Sequence, residues 1–378
     1  MAKNRKVMFI FGTRPEAIKF APLILKMQKT DGLDVIVCVT GQHREMLYQV
    51  LELFNIEPDF DLSVMKTSQT LAEITIAIIK KIEPVLLNVK PDLILVHGDT
   101  TTSFTASLSA FYNQIQVGHV EAGLRTGSKF SPFPEEMNRK LTAHLADIHF
   151  APTETSKQNL LDEGINKGKI FVTGNTVIDS LLTVLDLIND NEQLKAKIIE
   201  TLREVPLSKQ ILLVTGHRRE NFGEGLQQIC NALKNLAQKF DKLHIVYPVH
   251  LNPKVKGPVT KLLAETPNIY LINPLDYLSF VYLMSKSKII LTDSGGIQEE
   301  APTLGKPILL TRETTERPEA VITGTAKIVG TDAKTIFDEV SKLMLDKKYY
   351  DQMSLKINPY GDGHSSELII KIIKEKMV

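Results

Sequence analysis

The chain has 378 residues, 45 basic against 44 acidic side chains, a formal charge of +1 and 43% hydrophobic residues. At about 150 residues per domain that is material for two cores, and with no global field for nucleic acid or an anionic membrane, any anion has to be held locally. No stretch approaches the roughly 18 to 20 apolar residues of a membrane span, and Cys38 and Cys230, the two cysteines, sit in apolar segments that argue against a disulfide framework or a cysteine metal site.

The start, MAKNRKVMFIFGTRPE, turns polar soon after its apolar run and reads as a first strand, not a signal peptide, so a cytoplasmic location is expected. From there short apolar runs alternate with helical patterns to the end, the mark of an α/β fold with parallel strands joined by crossover helices. Strands are predicted at 7–11, 35–39, 93–97, 116–120, 148–151 and 170–172, then at 211–214, 244–247, 269–271, 289–291, 307–310 and 326–328. Between these two six-strand sets, 180–208 is helical and increasingly charged, and a hinge is placed there. The organisation expected is a first domain over 1–180, a second over 181–364, and an amphipathic helix at 365–378 that packs back on a domain. In such architectures ligands bind at strand ends, so the active site is expected in the cleft between the domains.

Several strand ends carry chemistry. In FGTRPEAIKFAP, Thr13 and Glu16 have capping-box spacing and Pro15 suits a first helical turn. Arg14 and Lys19 then stand near a helix N-terminus that favours anions, although solvated charges on an ordinary helix would look the same. The pattern is neither GxGxxG nor a P-loop. In VHGDTTTS, Asp99 follows an apolar strand and reads either as a crevice residue or as a helix cap, with Thr100 to Thr102 able to cap the next helix. GHVEAGLRTG places His119 and Glu121 at another strand end. SPFPEEMNRK carries Glu135, Glu136 and Arg139, for which i,i+4 pairing of Glu135 with Arg139 and Glu136 with Lys140 is the plain explanation. Against it stands the density of Asp99, Glu121 and Glu135, three carboxylates whose convergence would raise one another's pKa and suit proton transfer.

In the second half, TGHRREN puts His217, Arg218 and Arg219 after a strand, as anion ligand, proton carrier or cap, and YPVHLNP adds His250 and Asn252. There is no HExxH and no other metal-ligand spacing, so no metal is expected. LTDSGGIQEEAPTLGKP is the sharpest pattern: Ser294, Gly295 and Gly296 make a small-residue turn into a helix, suited to a pyrophosphate, with Glu300 a turn later able to accept from a ribose. A plain strand-to-helix turn is the alternative. Arg312 and Arg317 follow in RETTERPEA.

In the order GTRPEAIK, VHGDTTT, GHVEAGLRTG, FPEEMNR, TGHRREN, PVHLNP, DSGGIQEEAPTLGKP and RPEA, from residue 12 to 320, the chain resembles the bacterial non-hydrolysing UDP-N-acetylglucosamine 2-epimerases. The resemblance implies two Rossmann-like domains in a glycosyltransferase-B-like arrangement, with the C-terminal helix returning to the first, and a homodimer. It implies interconversion of UDP-N-acetylglucosamine and UDP-N-acetylmannosamine by elimination of UDP to 2-acetamidoglucal and re-addition, with no NAD or other cofactor, no nucleic acid and no membrane insertion. Product would feed cell-surface polysaccharides. By motif, Asp99, Glu121 and Glu135 are the implied acid/base carboxylates. His217 is the implied diphosphate contact, and Arg139 positions Glu135 or the substrate. Arg14 and Lys19 are the implied substrate and phosphate contacts, and Phe280, Ser294, Gly295, Gly296, Glu300 and Arg317 the implied UDP contacts. An allosteric site for a second UDP-N-acetylglucosamine is implied around Gln42, His43 and Arg44. A hydrolysing epimerase, a glycosyltransferase and a silent nucleotide-sugar sensor are the competing readings.

Overall fold

The apolar runs form two parallel sheets in a computed structural model that describes residues 4–41, 44–66, 68–355 and 358–376. The first contains β1 (Arg5–Phe11), β2 (Leu33–Val39), β3 (Phe60–Asp61), β4 (Leu93–His97), β5 (Gln116–Val120), β6 (Ile148–Ala151) and β7 (Ile170–Val172), in the order β3-β2-β1-β4-β5-β6-β7. The second contains β8 (Gln210–Thr215), β9 (Leu243–Pro248), β10 (Ile269–Ile272), β11 (Ile289–Thr292), β12 (Ile308–Leu310) and β13 (Ala326–Ile328), in the order β10-β9-β8-β11-β12-β13. The expected pair of six-strand sets is corrected by β3. It has two residues, pairing Cys38 with Phe60 and Val39 with Asp61, too short for periodicity to register.

The chain divides into two compact units, one running to Ser180 and resuming at Tyr360, the other spanning Leu181–Pro359. Each sheet belongs to one unit and reverses its strand order once, between β1 and β4 and between β8 and β11. Side-chain crevices at strand carboxyl ends open at such reversals. Each is a Rossmann-like α/β unit.

Both sheets are covered on two faces, which is why their strands read as unbroken apolar runs. Met8, Ile10, Ile78, Ile94 and Val96 are buried in the first core, and Leu212, Val214, Leu233, Ile245 and Leu291 in the second. Each such side chain contributes about 1.5–3 kcal/mol of burial. Cys38 and Cys230 lie in these cores as free thiols, and burial pushes both up to about 12. They pack as small hydrophobes.

Two helices, Thr176–Asp190 and Glu192–Thr201, occupy the charged segment between the sheets. The last helix, Ser365–Lys376, packs on Arg14–Gln28 within the first unit, where Lys26 Nζ meets Glu367 at 2.9 Å. Its leading amides would be orphaned, but the Asp179 carboxylate accepts those of Ser365 and Ser366 at 3.3 and 2.8 Å.

Candidate active site

In the first unit the turn after β1 is tied to the turn after β4 by one buried carboxylate. Glu16 accepts the amides of Gly12 and Thr13 at 3.0 and 2.8 Å, satisfying donors at the start of helix Arg14–Gln28, and also the Thr100 hydroxyl at 2.7 Å. Burial raises its pKa against these hydrogen bonds. Spacing identified Glu16 as a capping residue. Its second link, across the strand-order reversal, is a tertiary contact.

Arg14 is half-buried at the first helical position, whereas Lys19 is buried and ion-paired with Glu121. A solvated charge is therefore the wrong description of Lys19. Glu121 follows β5 with a φ of +61°, a left-handed conformation that costs a long side chain about 1 kcal/mol or more and persists only where neighbours enforce it. Its carboxylate also accepts Asn175 Nδ2 at 2.7 Å. A Cβ at Gly98 would stand 3.2 Å from Glu121 Oε1, so the carboxylate lies beside the residue preceding Asp99.

Asp99 is no cap: Thr100 caps helix Thr101–Tyr112, accepting the Ser103 amide at 3.0 Å. Asp99 is held instead from helix Glu135–Leu145, whose Asn138 Nδ2 donates to its carbonyl at 2.9 Å while Arg139 meets its carboxylate at 2.6 Å. Neither expected i,i+4 pair is what the structure records. Arg139 pairs with Asp99 and, at 3.0 Å, with Glu136, and Lys140 reaches Glu163 at 3.4 Å. Arg139 is thus paired with Asp99 and not with Glu135. The physical reason is burial, since a guanidinium enclosed between two carboxylates is far less screened than an exposed helix pair. Glu136, fully buried, also accepts the amides of Thr126 and Gly127 at 3.1 and 3.2 Å. Glu135 heads the helix with its Oε2 buried and without a hydrogen-bond partner. Asp99 and Glu121 therefore each face a cation, Arg139 and Lys19.

Three buried histidines lie behind this edge. His119 Nε2 meets the Gly98 carbonyl at 2.7 Å, and His119 registers opposite His149. Burial pushes His97 down to about 4 and His119 and His149 to about 3, so all are neutral near pH 7.

In the second unit His217 and Asp293 stand at the carboxyl ends of β8 and β11, on either side of the order reversal. Asp293 is fully buried and His217 Nδ1 lies 3.3 Å from it. His250 stacks on His217 with ring centroids 5.7 Å apart, and Asn252 caps helix Pro253–Leu263. Ser294 precedes a helix of six residues, Gly295–Glu300. A Cβ on Gly295 would meet the Arg317 guanidinium at 2.5 Å, while one on Gly296 would meet nothing within 4 Å. Glu300 accepts the Tyr277 hydroxyl at 2.7 Å, and half-buried Phe280 lies on the same helix as Tyr277, Tyr277–Lys286.

Arg317 is anchored by Glu299 at 2.8 Å and by Glu316 at 2.7 Å. Glu316 also takes Arg312 at 2.6 Å and Arg218 at 3.4 Å. Burial alone would raise the Glu316 carboxyl, but Arg317, Arg312 and Arg218 bring it to about 2. Arg312 also meets Glu220 at 3.3 Å, so the three arginines share three carboxylates. Glu316, Asn175 and Glu136 were not singled out as functional residues in the sequence, because an acid or amide inside a loop or helix has no spacing signal until its partner is known. Gln42 and His43 lie outside the described residues; Arg44 opens helix Arg44–Leu53. Among the described residues no group of three His, Cys, Asp or Glu side chains is placed to hold a metal ion.

Two Rossmann-like units, one presenting carboxylates at its strand ends and the other an arginine-rich turn, define a glycosyltransferase-B-like enzyme class. A family model described as UDP-N-acetylglucosamine 2-epimerase matches residues 25–374. The chain is 55% identical over 373 residues to UDP-N-acetylglucosamine 2-epimerase of Yersinia pestis, and 53% identical over 373 residues to that of Escherichia coli K12, covering 99% of both chains in each case. It is also similar to the crystal structure of UDP-GlcNAc 2-epimerase from Neisseria meningitidis bound to UDP-GlcNAc, with a TM-score of 0.92 and 52% identity over 98% of this chain and 100% of that one. The chain belongs to the UDP-N-acetylglucosamine 2-epimerase family, and it is an isomerase.

Proposed function

We propose that this enzyme interconverts UDP-N-acetylglucosamine and UDP-N-acetylmannosamine by elimination and re-addition. The C2 proton of the sugar has no adjoining ring carbonyl and is not acidic enough for simple removal and return. Elimination avoids that problem. A carboxylate takes the C2 proton, the C2–H electron pair becomes the C1–C2 double bond of 2-acetamidoglucal, and the C1–O pair leaves with UDP. Re-addition with the proton delivered to the opposite face gives the epimer.

The observation that carries this reading is the placement of Glu121 beside Gly98 and hence next to Asp99, each carboxylate held by its own cation. Both stand at one sheet edge, with Glu135 as the third acid/base residue. Lys19 and Arg14 serve the substrate side. In the second unit Ser294, Gly295, Gly296, Arg317 and His217 take the diphosphate, where fixed donors stabilise the charge that grows on departure. Phe280 and Glu300 take the nucleoside. Gln42, His43 and Arg44 are proposed for a second, activating UDP-N-acetylglucosamine. The enzyme works as a cytoplasmic homodimer without cofactor, nucleic acid or membrane insertion, and supplies N-acetylmannosamine units for cell-surface polysaccharide.

Proton NMR with UDP-N-acetylglucosamine as sole substrate in deuterated water tests the reaction. The expected product is intact UDP-N-acetylmannosamine carrying deuterium at C2. Free sugar plus UDP would instead assign a hydrolysing epimerase, and a requirement for an acceptor a transferase. Dependence on added nicotinamide would overturn the elimination route.

A further inference from the structure

The two oxygens of Asp293 have separate duties. Oδ2 accepts the backbone amides of His217 and Arg218, each at 2.9 Å, and Asn221 Nδ2 at 3.3 Å. Oδ1 is buried without a hydrogen-bond partner, and His217 Nδ1 lies 3.3 Å from it. The carboxylate is 0% exposed whereas the His217 side chain is 48% exposed. An ionised carboxylate oxygen is an acceptor only, and leaving it buried without a donor is costly, so the proton of a neutral imidazole belongs on Nδ1. The hydrogen bonds to Oδ2 also fix the carboxylate, so the orientation is built into the turn itself.

We infer that Asp293 is a positioning residue for His217, holding a proton on Nδ1 and thereby making Nε2 the nitrogen that exchanges a proton with the departing diphosphate oxygen. With Nδ1–H committed to Asp293, Nε2 is a donor only in the imidazolium. As the C1–O bond breaks, its electron pair goes to the diphosphate oxygen, which takes the Nε2 proton while the N–H pair returns to the ring. Re-addition reverses each transfer. Burial, His250 and Arg218 disfavour the cation and Asp293 favours it; together they lower the ring's pKa from its ordinary value, so the imidazolium forms only with the anionic diphosphate beside it. The identity of the leaving group rests on the proposed reaction; the tautomer does not.

Asp293→Asn discriminates. Its single carbonyl oxygen is demanded at the Oδ2 position by two backbone amides, which turns the NH2 group toward Nδ1 and forces the Nε2–H tautomer, as in the aspartate-to-asparagine change of a serine protease triad. Long-range nitrogen–proton NMR at pH 8 on histidine-labelled protein, with the ring assigned through His217→Gln, reads the tautomer directly. The expected result is Nδ1–H in the wild type and Nε2–H in Asp293→Asn. Turnover falls roughly a hundredfold or more, UDP affinity changes little, and no further loss appears when Asp293→Asn is added to His217→Gln. An Nε2–H wild-type ring, or losses that multiply in the double variant, would overturn the inference. The wild-type spectrum decides the matter even if the variant fails to fold. An Nδ1–H ring in a protein that does not convert UDP-N-acetylglucosamine would sink the proposed reaction and leave the dyad standing.

Discussion

Arg139 holds the Asp99 carboxylate at 2.6 Å with the same guanidinium that reaches the fully buried Glu136 at 3.0 Å. One cation therefore serves two purposes, orienting an acid/base candidate and neutralising a structural one. Arg139→Met should cost about 3–5 kcal/mol in urea unfolding, because a buried partner loses its countercharge, and should lower turnover at least about tenfold. Adding Glu136→Gln should restore much of the stability and none of the turnover. Recovery of both together would mean that Arg139 matters only to folding.

Glu121 and Asp99 give the most direct test of the proton-transfer reading. Glu121→Gln and Asp99→Asn are each expected to lose most turnover, by about 10²-fold or more, while UDP binding measured by calorimetry persists. Wild-type turnover in either variant removes that residue from the mechanism.

The buried histidines predict acid lability. His97, His119 and His149 have folded-state values of about 4, 3 and 3, below the ordinary 6.5, with burial the leading cause. As pH falls below about 6.5 the unfolded chain takes up protons that the folded chain refuses, so stability is full above that value and declines toward pH 4. The slope is about 1.4 kcal/mol per pH unit for each histidine. Glu16, raised by burial, works in the opposite sense near its own titration. Urea midpoints between pH 7.5 and 5 should shift downward, and His149→Leu should flatten the dependence; an unchanged slope in that variant would show that His149 does not contribute.

Adjacent glycines should behave differently. Gly295→Ala places a methyl 2.5 Å from the Arg317 guanidinium, which has to shift against its Glu299 and Glu316 anchors, whereas Gly296→Ala meets nothing within 4 Å. UDP titration is expected to show at least about a tenfold loss of affinity for the first, the cost of roughly one charge-assisted hydrogen bond. Equal behaviour of the two variants would show that the close approach of Arg317 is irrelevant to the nucleotide.

Local pattern carried a large part of this molecule. Buried parallel strands are continuous apolar runs, so β1, β2 and β4 to β13 were visible from residue type alone, as were the capped start at Thr13 and the small-residue turn at Ser294. Motif order placed Asp99, Glu121, His217 and Arg317 at strand ends or in the turns that follow them. What the tertiary structure decided was pairing. Sequence spacing matched Arg139 with Glu135, yet the guanidinium pairs across elements with Asp99, which follows β4, and within its helix with Glu136. In the same way Lys19 became the partner of Glu121, Asn175 its second donor, and Asp293 the partner of His217. Helical and strand periodicities report which face of an element is buried, while charge partners are chosen across elements by distance and dielectric, and neither quantity exists until the chain has folded.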